Sequence, residues 1–444
     1  MKVAFATLGC KVNQYDTATI ETALRREGCD IVAFPGGADV YVVNTCTVTD
    51  RADAESRQLA RRAKRVNPRA RVIMTGCFAQ TSPQQVAAMP EVDYVVGIGR
   101  LAELLRAVRG ELDDASGRIF VDNLRKAERV STLGADVFTG QTRAFLKVQE
   151  GCDLFCSFCI VPFARGRSRS VEPREVLVQL RRLAERGFQE VVLTGVHLGG
   201  YGGDLKPRIG LADLVEMIAE LRPLPRIRLS SIDPPEVTSR LLEIMRASDV
   251  LCPHVHVPVQ AGADGVLRRM RRQYDGALVR DVVAEITRQL PEPGLGTDVI
   301  AGFPGESDAD FAAGYEMLAT LPFTYFHVFP YSRRSGTTAA KSADAVPPGI
   351  VAGRAQALRR LGTEKRRAFA DRLLGGVASL LVEGTRDRES GWLMGYSRNY
   401  VRVLVPGDDA LVNSEVRVKL TERRGDRVLA RPLAATGEAN VGAV

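Results

Sequence analysis

Residues 144–159 read AFLKVQEGCDLFCSFC, an apolar run followed by Gly151 and then a C-x3-C-x2-C spacing over Cys152, Cys156 and Cys159. Ala144–Gln149 has the composition of a short buried β-strand, which places the cysteines in the loop directly after it. Three thiolates this close can each bind one corner iron of a [4Fe–4S] cluster and leave the fourth iron without a protein ligand. A structural zinc site is the alternative, but it needs a fourth Cys or His nearby. The next candidate, His197, lies far along the chain on a later unit.

The alternation continues past the cysteines. Glu190–Leu193, Arg226–Ser230, His254–Pro258, Gly296–Ile300 and Tyr325–Phe329 read as further strands, with helical patterns over Glu175–Arg186, Ala212–Leu221, Ser239–Ala247, Gly276–Gln289 and Ser307–Ala319. Six βα units in a row predict a closed or partial barrel whose chemistry gathers at the C-terminal ends of its strands. Beyond a basic helix, Val351–Leu373, five short strands between 377 and 430 predict a small antiparallel β-barrel of the oligonucleotide-binding kind. On the N-terminal side, strands Lys2–Gly9, Asp39–Asn44 and Arg71–Thr75 alternate with helices Asp16–Glu27 and Asp53–Val66, the pattern of a parallel sheet covered on both faces. The polar stretch Glu111–Asp136 breaks that pattern. The class is therefore α/β, with domains expected at 1–112, 138–370 and 371–437 and a connector over 113–137.

Setting the other cysteines against these strands exposes a second group. Cys10, Cys46 and Cys77 each follow a strand of the first region, in TLGC, NTC and TGC. In a parallel sheet such positions lie along one edge, where ligand crevices form. Inert buried cysteines are common, but three strand-end placements out of three favour a second open [4Fe–4S] site, with zinc as its alternative. Cys29 and Cys252 lack this placement and are expected to be structural.

Composition adds bounds. Of 444 residues, 45% are hydrophobic and 26% charged, ordinary for a soluble enzyme. Lys and Arg number 61 against 53 Asp and Glu, and this net charge of +8 favours polyanionic partners only weakly. The opening MKVAFATLGCK reads as a β-strand and not as a signal peptide, and no uncharged apolar stretch of about 18 residues is found, so no membrane partner is expected. In the expected cytoplasmic setting, eight cysteines serve as ligands or core residues, not disulfides.

The C-x3-C-x2-C run is the signature of the radical S-adenosylmethionine (AdoMet) superfamily, and longer stretches narrow the likeness. TLGCKVNQYDT, NTCTVTDRADAESRQ, TGCFAQ, EGCDLFCSFCIVPFARGRSRS, SSIDPPEV, HVHVPVQAGADGVLRRMRRQY, TDVIAGFPGES and FPYSRRSGTTAA resemble the methylthiotransferase family over nearly the whole chain. The resemblance implies an N-terminal cluster domain, a radical AdoMet barrel and a terminal TRAM domain. It implies that Cys152, Cys156 and Cys159 hold the cluster that cleaves AdoMet to a 5′-deoxyadenosyl radical. Cys10, Cys46 and Cys77 would hold a second cluster, carrying a sulfur that another AdoMet methylates before its delivery to the substrate.

The family's branches modify isopentenyladenosine in tRNA, an aspartate of a ribosomal protein, or threonylcarbamoyladenosine in tRNA. Lys11-Val12-Asn13 after Cys10 resembles the last. The implied target is C2 of the adenosine just 3′ of the anticodon, at tRNA position 37. That carbon bears a hydrogen that acid–base groups alone do not displace, so radical chemistry from a cofactor is required. The implied partners are the tRNA anticodon stem-loop and an electron donor. An RNA-binding iron–sulfur protein that only senses redox state is the non-enzymatic alternative.

Further polar residues end later barrel strands. Gly195, in a Gly-rich loop running to Gly203, and Ser231, Gln260 and Asp298 are candidates for binding AdoMet, and Asp233 for catalysis. His254 and His256 alternate on one strand and are expected to be buried. Arg165, Arg167, Arg268 and Arg269 are candidate contacts for RNA phosphate, although each alone equally suits a solvated face. Tyr396 and Tyr400 suit either base stacking or a core role.

Overall fold

The computed structural model describes residues 1–112, 117–130 and 134–433. The expected domain limits at 113 and 437 lie outside the described residues. Strands β1 (Lys2–Thr7), β2 (Asp30–Val32), β3 (Val40–Thr45), β4 (Arg71–Gly76), β5 (Tyr94–Val96) and β6 (Ile119–Phe120) form one parallel sheet in the order β2-β1-β3-β4-β5-β6. One face is covered by α1 (Lys11–Arg26) through Ile20 and Leu24 and, further along the chain, by Leu104 and Ala107. The other is covered by α2 (Asp50–Val66), α3 (Cys77–Thr81) and α4 (Pro83–Ala87) through Ala60, Phe78 and Val86. Burial from both sides explains why Val40-Tyr41-Val42-Val43 is a continuous apolar run. The helix α5 (Leu101–Arg109) supplies the Leu104 contact. Strand β6 comes from the stretch expected to be a connector, because two residues are too few to show periodicity.

The second region contains β7 (Arg143–Glu150), α6 (Val161–Arg165), β8 (Arg169–Ser170), α7 (Pro173–Glu185), β9 (Glu190–Gly195), α8 (Leu211–Leu221), β10 (Arg226–Leu229), α9 (Ser239–Ala247) and β11 (His254–His256). It continues through α10 (Asp264–Arg269), α11 (Gly276–Gln289), β12 (Gly294–Ala301), α12 (Asp308–Thr320), β13 (Tyr325–Pro330) and α13 (Pro348–Arg372). The parallel sets β7-β9-β10 and β11-β12-β13 are joined by isolated bridges at Ile227–Leu251 and Ser231–His256, which makes a partial barrel. Alternate strand residues take opposite sides. Ala144, Leu146, Val148, Val191, Leu193, Ile227 and Leu229 pack under the helices, so Lys147, Arg228, His256, Asp298 and His327 line the inner side.

Strands β14 (Val377–Arg386), β15 (Leu393–Ser397), β16 (Arg402–Val405), β17 (Glu415–Arg424) and β18 (Arg427–Pro432) close a barrel in the order β14-β15-β16-β18-β17. Its pairing is antiparallel except for β16–β18, which is parallel. A ring with an odd number of strands cannot alternate direction throughout, so one parallel pair corrects the wholly antiparallel expectation. This small barrel caps the N-terminal ends of the larger barrel's strands. Arg226 and Arg228 pair with Glu190 at 2.7 and 2.8 Å and donate to the carbonyls of Tyr396 and Arg398. Tyr400 stacks on Tyr396 and packs against His254, while the Arg143 guanidinium lies over Tyr396. These two tyrosines therefore serve the domain seam.

Candidate active site between two cysteine trios

Gly151 opens the first cysteine loop at φ +75°, and a β-carbon there would stand 1.8 Å from the Arg167 carbonyl oxygen, so the turn requires glycine. The Gln149 amide donates to the Gly151 carbonyl at 2.8 Å and to Ser168 Oγ at 2.9 Å, fixing the loop where it leaves β7. Burial pushes the Cys152 and Cys159 thiols up to about 12, and the charge of neighbouring Cys156 adds to the rise. Such thiols keep their protons until a metal takes the place of the proton. Arg272, whose side chain is 5% exposed, lies 3.1 Å from Cys156 Sγ and 2.6 Å from Asp233.

The other three cysteines gather at the C-terminal edge of the first sheet. Gly9 has φ +95°, and a β-carbon on it would come within 2.9 Å of both Cβ and Sγ of Cys46. Only a bare backbone lets the Cys10 and Cys46 loops lie this close. Asn13, in the first turn of α1, donates to the carbonyls of Leu8 at 2.7 Å and Thr45 at 2.9 Å and receives the Cys77 thiol at 3.8 Å. One side chain thus ties together the strand ends that carry all three sulfurs. Burial pushes Cys77 up to about 12 and also raises Cys46.

The donor sets decide between metals. Among the described residues, neither trio has all three sulfurs within 4.8 Å of one another. One zinc ion with Zn–S bonds of about 2.3 Å would need them within roughly 4 Å. His197, the distant fourth-ligand candidate, is paired with Glu236 at 2.5 Å. Two sets of three sulfurs, neither with a fourth Cys or His ligand gathered beside it, have the donor count of an iron–sulfur cube with one open corner and not that of a closed zinc site.

The loops that carry the two trios are joined through neighbouring helices. Helix α3, which begins at Cys77, packs against α6, which begins two residues after Cys159. Arg165 ends α6, and its expected role at the RNA surface is corrected here, because it is 1% exposed. Its guanidinium pairs with Asp16 at 2.8 Å and Glu150 at 3.0 Å and donates to Asn13. Lys147 meets the same two carboxylates at 2.6 Å each. Docking of the two domains buries this side chain, and no local pattern signals such docking. On the opposite flank Arg334 reaches Thr47 at 2.6 Å, Asp53 at 2.5 Å and Asp50, clamping the Cys46 loop to the segment after β13.

Of the remaining candidates, Ser231, Gln260 and Asp298 lie together around His256 and the others lie apart from them. Asp298 sits 3.1 Å from both His256 and His327; burial raises its pKa, but the two imidazoles hold it well below the usual carboxylate range. Ser231 bridges to His256, and Gln260, at φ +66°, donates its backbone N–H to the Asp298 carbonyl at 2.8 Å. Gly195 abuts the Gln149 side chain, while the glycines beyond it pack on His197 and Glu236. Asp233 points at Arg272, near Cys156. Arg167 and Arg268 are exposed, whereas Arg269 spends part of its guanidinium on Asp310 at 3.1 Å and the Gly305 carbonyl. Cys252 is buried beside Arg228, and Cys29 borders the core of the first sheet. Sequence reasoning missed Asn13, Arg272 and Arg334. Arg272 stands among four arginines between 268 and 272, and nothing in the string separates it from its exposed neighbours.

The profile described as Uncharacterized protein family UPF0004 matches residues 2–97, and that of the Radical SAM superfamily matches residues 146–318. The chain is 39% identical over 420 residues to the threonylcarbamoyladenosine tRNA methylthiotransferase MtaB of Bacillus subtilis, covering 94% of this chain and 93% of that protein. It is 31% identical over 430 residues to the tRNA-2-methylthio-N(6)-dimethylallyladenosine synthase of Desulfitobacterium hafniense, covering 95% of each. Among solved structures, the radical S-adenosylmethionine methyltransferase TsrM of Kitasatospora setae, with cobalamin and a [4Fe-4S] cluster bound, shares the fold at a TM-score of 0.56 and 16% identity, over 81% of this chain and 84% of that one. With one trio inside each matched segment or at its edge, and with near-full-length identity to named relatives, the chain belongs to the radical AdoMet methylthiotransferase family, in the branch named for threonylcarbamoyladenosine tRNA.

Proposed function

We propose that this protein adds a methylthio group to C2 of N6-threonylcarbamoyladenosine at position 37 in the anticodon stem-loop of tRNA. The observation that supports the reading is that the helices beginning at Cys77 and just after Cys159 pack together, with Arg165 and Arg334 tying the two cysteine-bearing domains to each other. Cys152, Cys156 and Cys159 hold one [4Fe–4S] cluster, and Cys10, Cys46 and Cys77 hold the other. When bound, the first supplies reductive cleavage of AdoMet to a 5′-deoxyadenosyl radical, and the second supplies the sulfur that is methylated and transferred.

The chain's own residues place and insulate these groups. Arg272 puts a positive charge beside Cys156 and is itself oriented by Asp233. Gln149 holds the Gly151 turn, so the three cysteines after it keep their spacing. Arg167 and Arg268 are exposed cations suited to RNA phosphate, with the terminal barrel as a further RNA-facing module. Residues 1–112, 138–370 and 371–437 are the proposed domains, and the proposed setting is the cytoplasm, where a reductant supplies the electron. No helix among the described residues is long and apolar enough to cross a membrane.

Nucleoside mass spectrometry on tRNA from cells lacking the gene tests the reading. Loss of the methylthio mark on threonylcarbamoyladenosine, and of no other mark, is expected. An unchanged tRNA profile overturns it and redirects attention to a ribosomal protein side chain.

A further inference from the structure

Three adjoining barrel strands, β11, β12 and β13, bring His256, Asp298 and His327 together. Asp298 lies directly opposite His327 in the β12–β13 pairing, and His256 pairs with Gly296, two residues before Asp298. One nitrogen from each ring and one carboxylate oxygen fall within 4.8 Å of one another. Asp298 Oδ1 is 3.1 Å from His256 Nε2 and 3.1 Å from His327 Nδ1, and the two rings stack with centroids 5.2 Å apart. An ion bound at about 2.0–2.2 Å to nitrogen and oxygen separates neighbouring ligands by roughly 3 Å. These contacts match that spacing.

Hydrogen bonding alone accounts poorly for the arrangement. His327 Nδ1 is aligned with Asp298 Oδ1 as a hydrogen bond requires. His256 Nε2 is not: it is buried and has no hydrogen-bond partner among the described residues, although the carboxylate stands 3.1 Å away. A buried ring nitrogen beside an oxygen that it does not point at is costly, but it is the geometry of two ligands aimed at a third atom. The rest of the His256 ring is fixed. Its Nδ1 lies 3.1 Å from the Tyr325 hydroxyl, which also meets His254 Nε2 at 2.8 Å, so Nε2 is the nitrogen turned to Asp298. Such an outer partner orients a metal-binding histidine. Burial holds His256 below the usual histidine range, which favours the neutral ring that metals require. The His327 side chain is 53% exposed and leaves the group open to entry from solvent. We propose that His256, Asp298 and His327 bind one divalent first-row transition-metal ion, separate from both sulfur trios. Two imidazoles and a carboxylate select such an ion through nitrogen and oxygen, and three protein ligands leave further coordination positions free. Asp298 is thereby assigned to a metal and not to AdoMet.

The test uses tag-free, full-length enzyme with both clusters reconstituted anaerobically and with elemental analysis showing no metal besides iron. Mn2+ is the probe, because it prefers nitrogen and oxygen to thiolate and because oxidised [4Fe–4S] clusters give no electron paramagnetic resonance signal to mask it. Titration is expected to show one Mn2+ bound per chain, with pulsed spectra revealing coupling to two imidazole nitrogens. His327→Ala, a change at an exposed side chain, is expected to remove one of those couplings and weaken binding by at least about tenfold, since even outer partners of a metal are worth that much. Asp298→Asn is expected to weaken binding by a similar factor while both couplings remain. Iron content and melting temperature are measured for each variant, so loss of a cluster or of the fold is visible. Absence of Mn2+ uptake at millimolar concentration by protein with full iron content overturns the proposal. Uptake without imidazole coupling overturns it too, as does affinity unchanged in both variants. None of these readings uses RNA or AdoMet turnover, so the proposal stands or falls separately from the substrate reading.

Discussion

Replacing Arg165 with Met tests whether the two domains are held together by buried charge. Arg165 and Lys147 face Asp16 and Glu150, two positive and two negative groups, with Glu150 3% exposed. Arg165→Met leaves two carboxylates with one cation. Breaking a buried pair by deleting one member costs about 3–5 kcal/mol, because the partner's charge remains desolvated. At about 2–4 °C per kcal/mol for a domain of this size, the melting temperature falls by roughly 6–20 °C. The double variant Arg165→Met/Glu150→Gln leaves Lys147 facing Asp16 and restores neutrality, so it should recover about 1 kcal/mol or more relative to the sum of the single changes. The assay is thermal unfolding of anaerobically reconstituted protein, run beside separate measurements of AdoMet cleavage and methylthio product. Cleavage should outlast product formation, because Cys152, Cys156 and Cys159 lie wholly within the barrel, whereas Asn13 and the first trio's edge lose the Arg165 anchor. A melting temperature within about 1 °C of wild type would refute the reasoning, since that is how an exposed arginine behaves. Strict additivity in the double variant would refute it equally.

Cys152→Ala should abolish AdoMet cleavage and lower bound iron by about four atoms per chain, while Cys10→Ala should remove as much iron yet retain AdoMet cleavage without product; iron analysis and 5′-deoxyadenosine assays check both. Cys29→Ser should leave iron unchanged, because Cys29 lies at the core of the first sheet and away from both trios. Glu190 is fully buried; burial raises its pKa, but Arg228 and Arg226 hold it at about 2. A depressed carboxylate contributes stability that is complete above its ordinary value of about 4.3 and is lost as pH falls toward 2. Acid should therefore loosen the seam of the terminal barrel below about pH 4. Glu190→Gln should loosen it already at pH 7, by about 3–5 kcal/mol, as read by hydrogen exchange in β14 and β15. Arg167→Ala and Arg268→Ala should each weaken tRNA binding at low salt and reduce the slope of log affinity against log salt by about one, and an unchanged slope in both would remove them from the RNA interface.

Much of this molecule is legible in the string because its signals are local. The C-x3-C-x2-C run is visible through its own spacing, and Cys10, Cys46 and Cys77 stand out by lying just after apolar strands that run parallel in one sheet. Period-two and helical patterns likewise marked nearly every element of the partial barrel and of the terminal one. The short strands β2, β5, β6 and β8 and the parallel β16–β18 pair escaped, the strands for want of length and the pair because closure is a property of the whole ring.

Docking of the domains assigned Arg165 and Arg334, and packing inside the barrel assigned Arg272. All three are arginines, chemically indistinguishable from exposed Arg167 or Arg268 until the chain folds. Whether such a side chain is solvated, neutralised in a buried network or left as a lone charge depends on carboxylates more than a hundred residues away, such as Asp16 for Arg165 and Asp53 for Arg334. The sequence by itself therefore determined most of the elements, their order and the placement of six cysteines just after strands. Only the tertiary structure decided which cations are consumed in joining the domains and which stay exposed, because burial and charge pairing are set by distance in space and not along the chain.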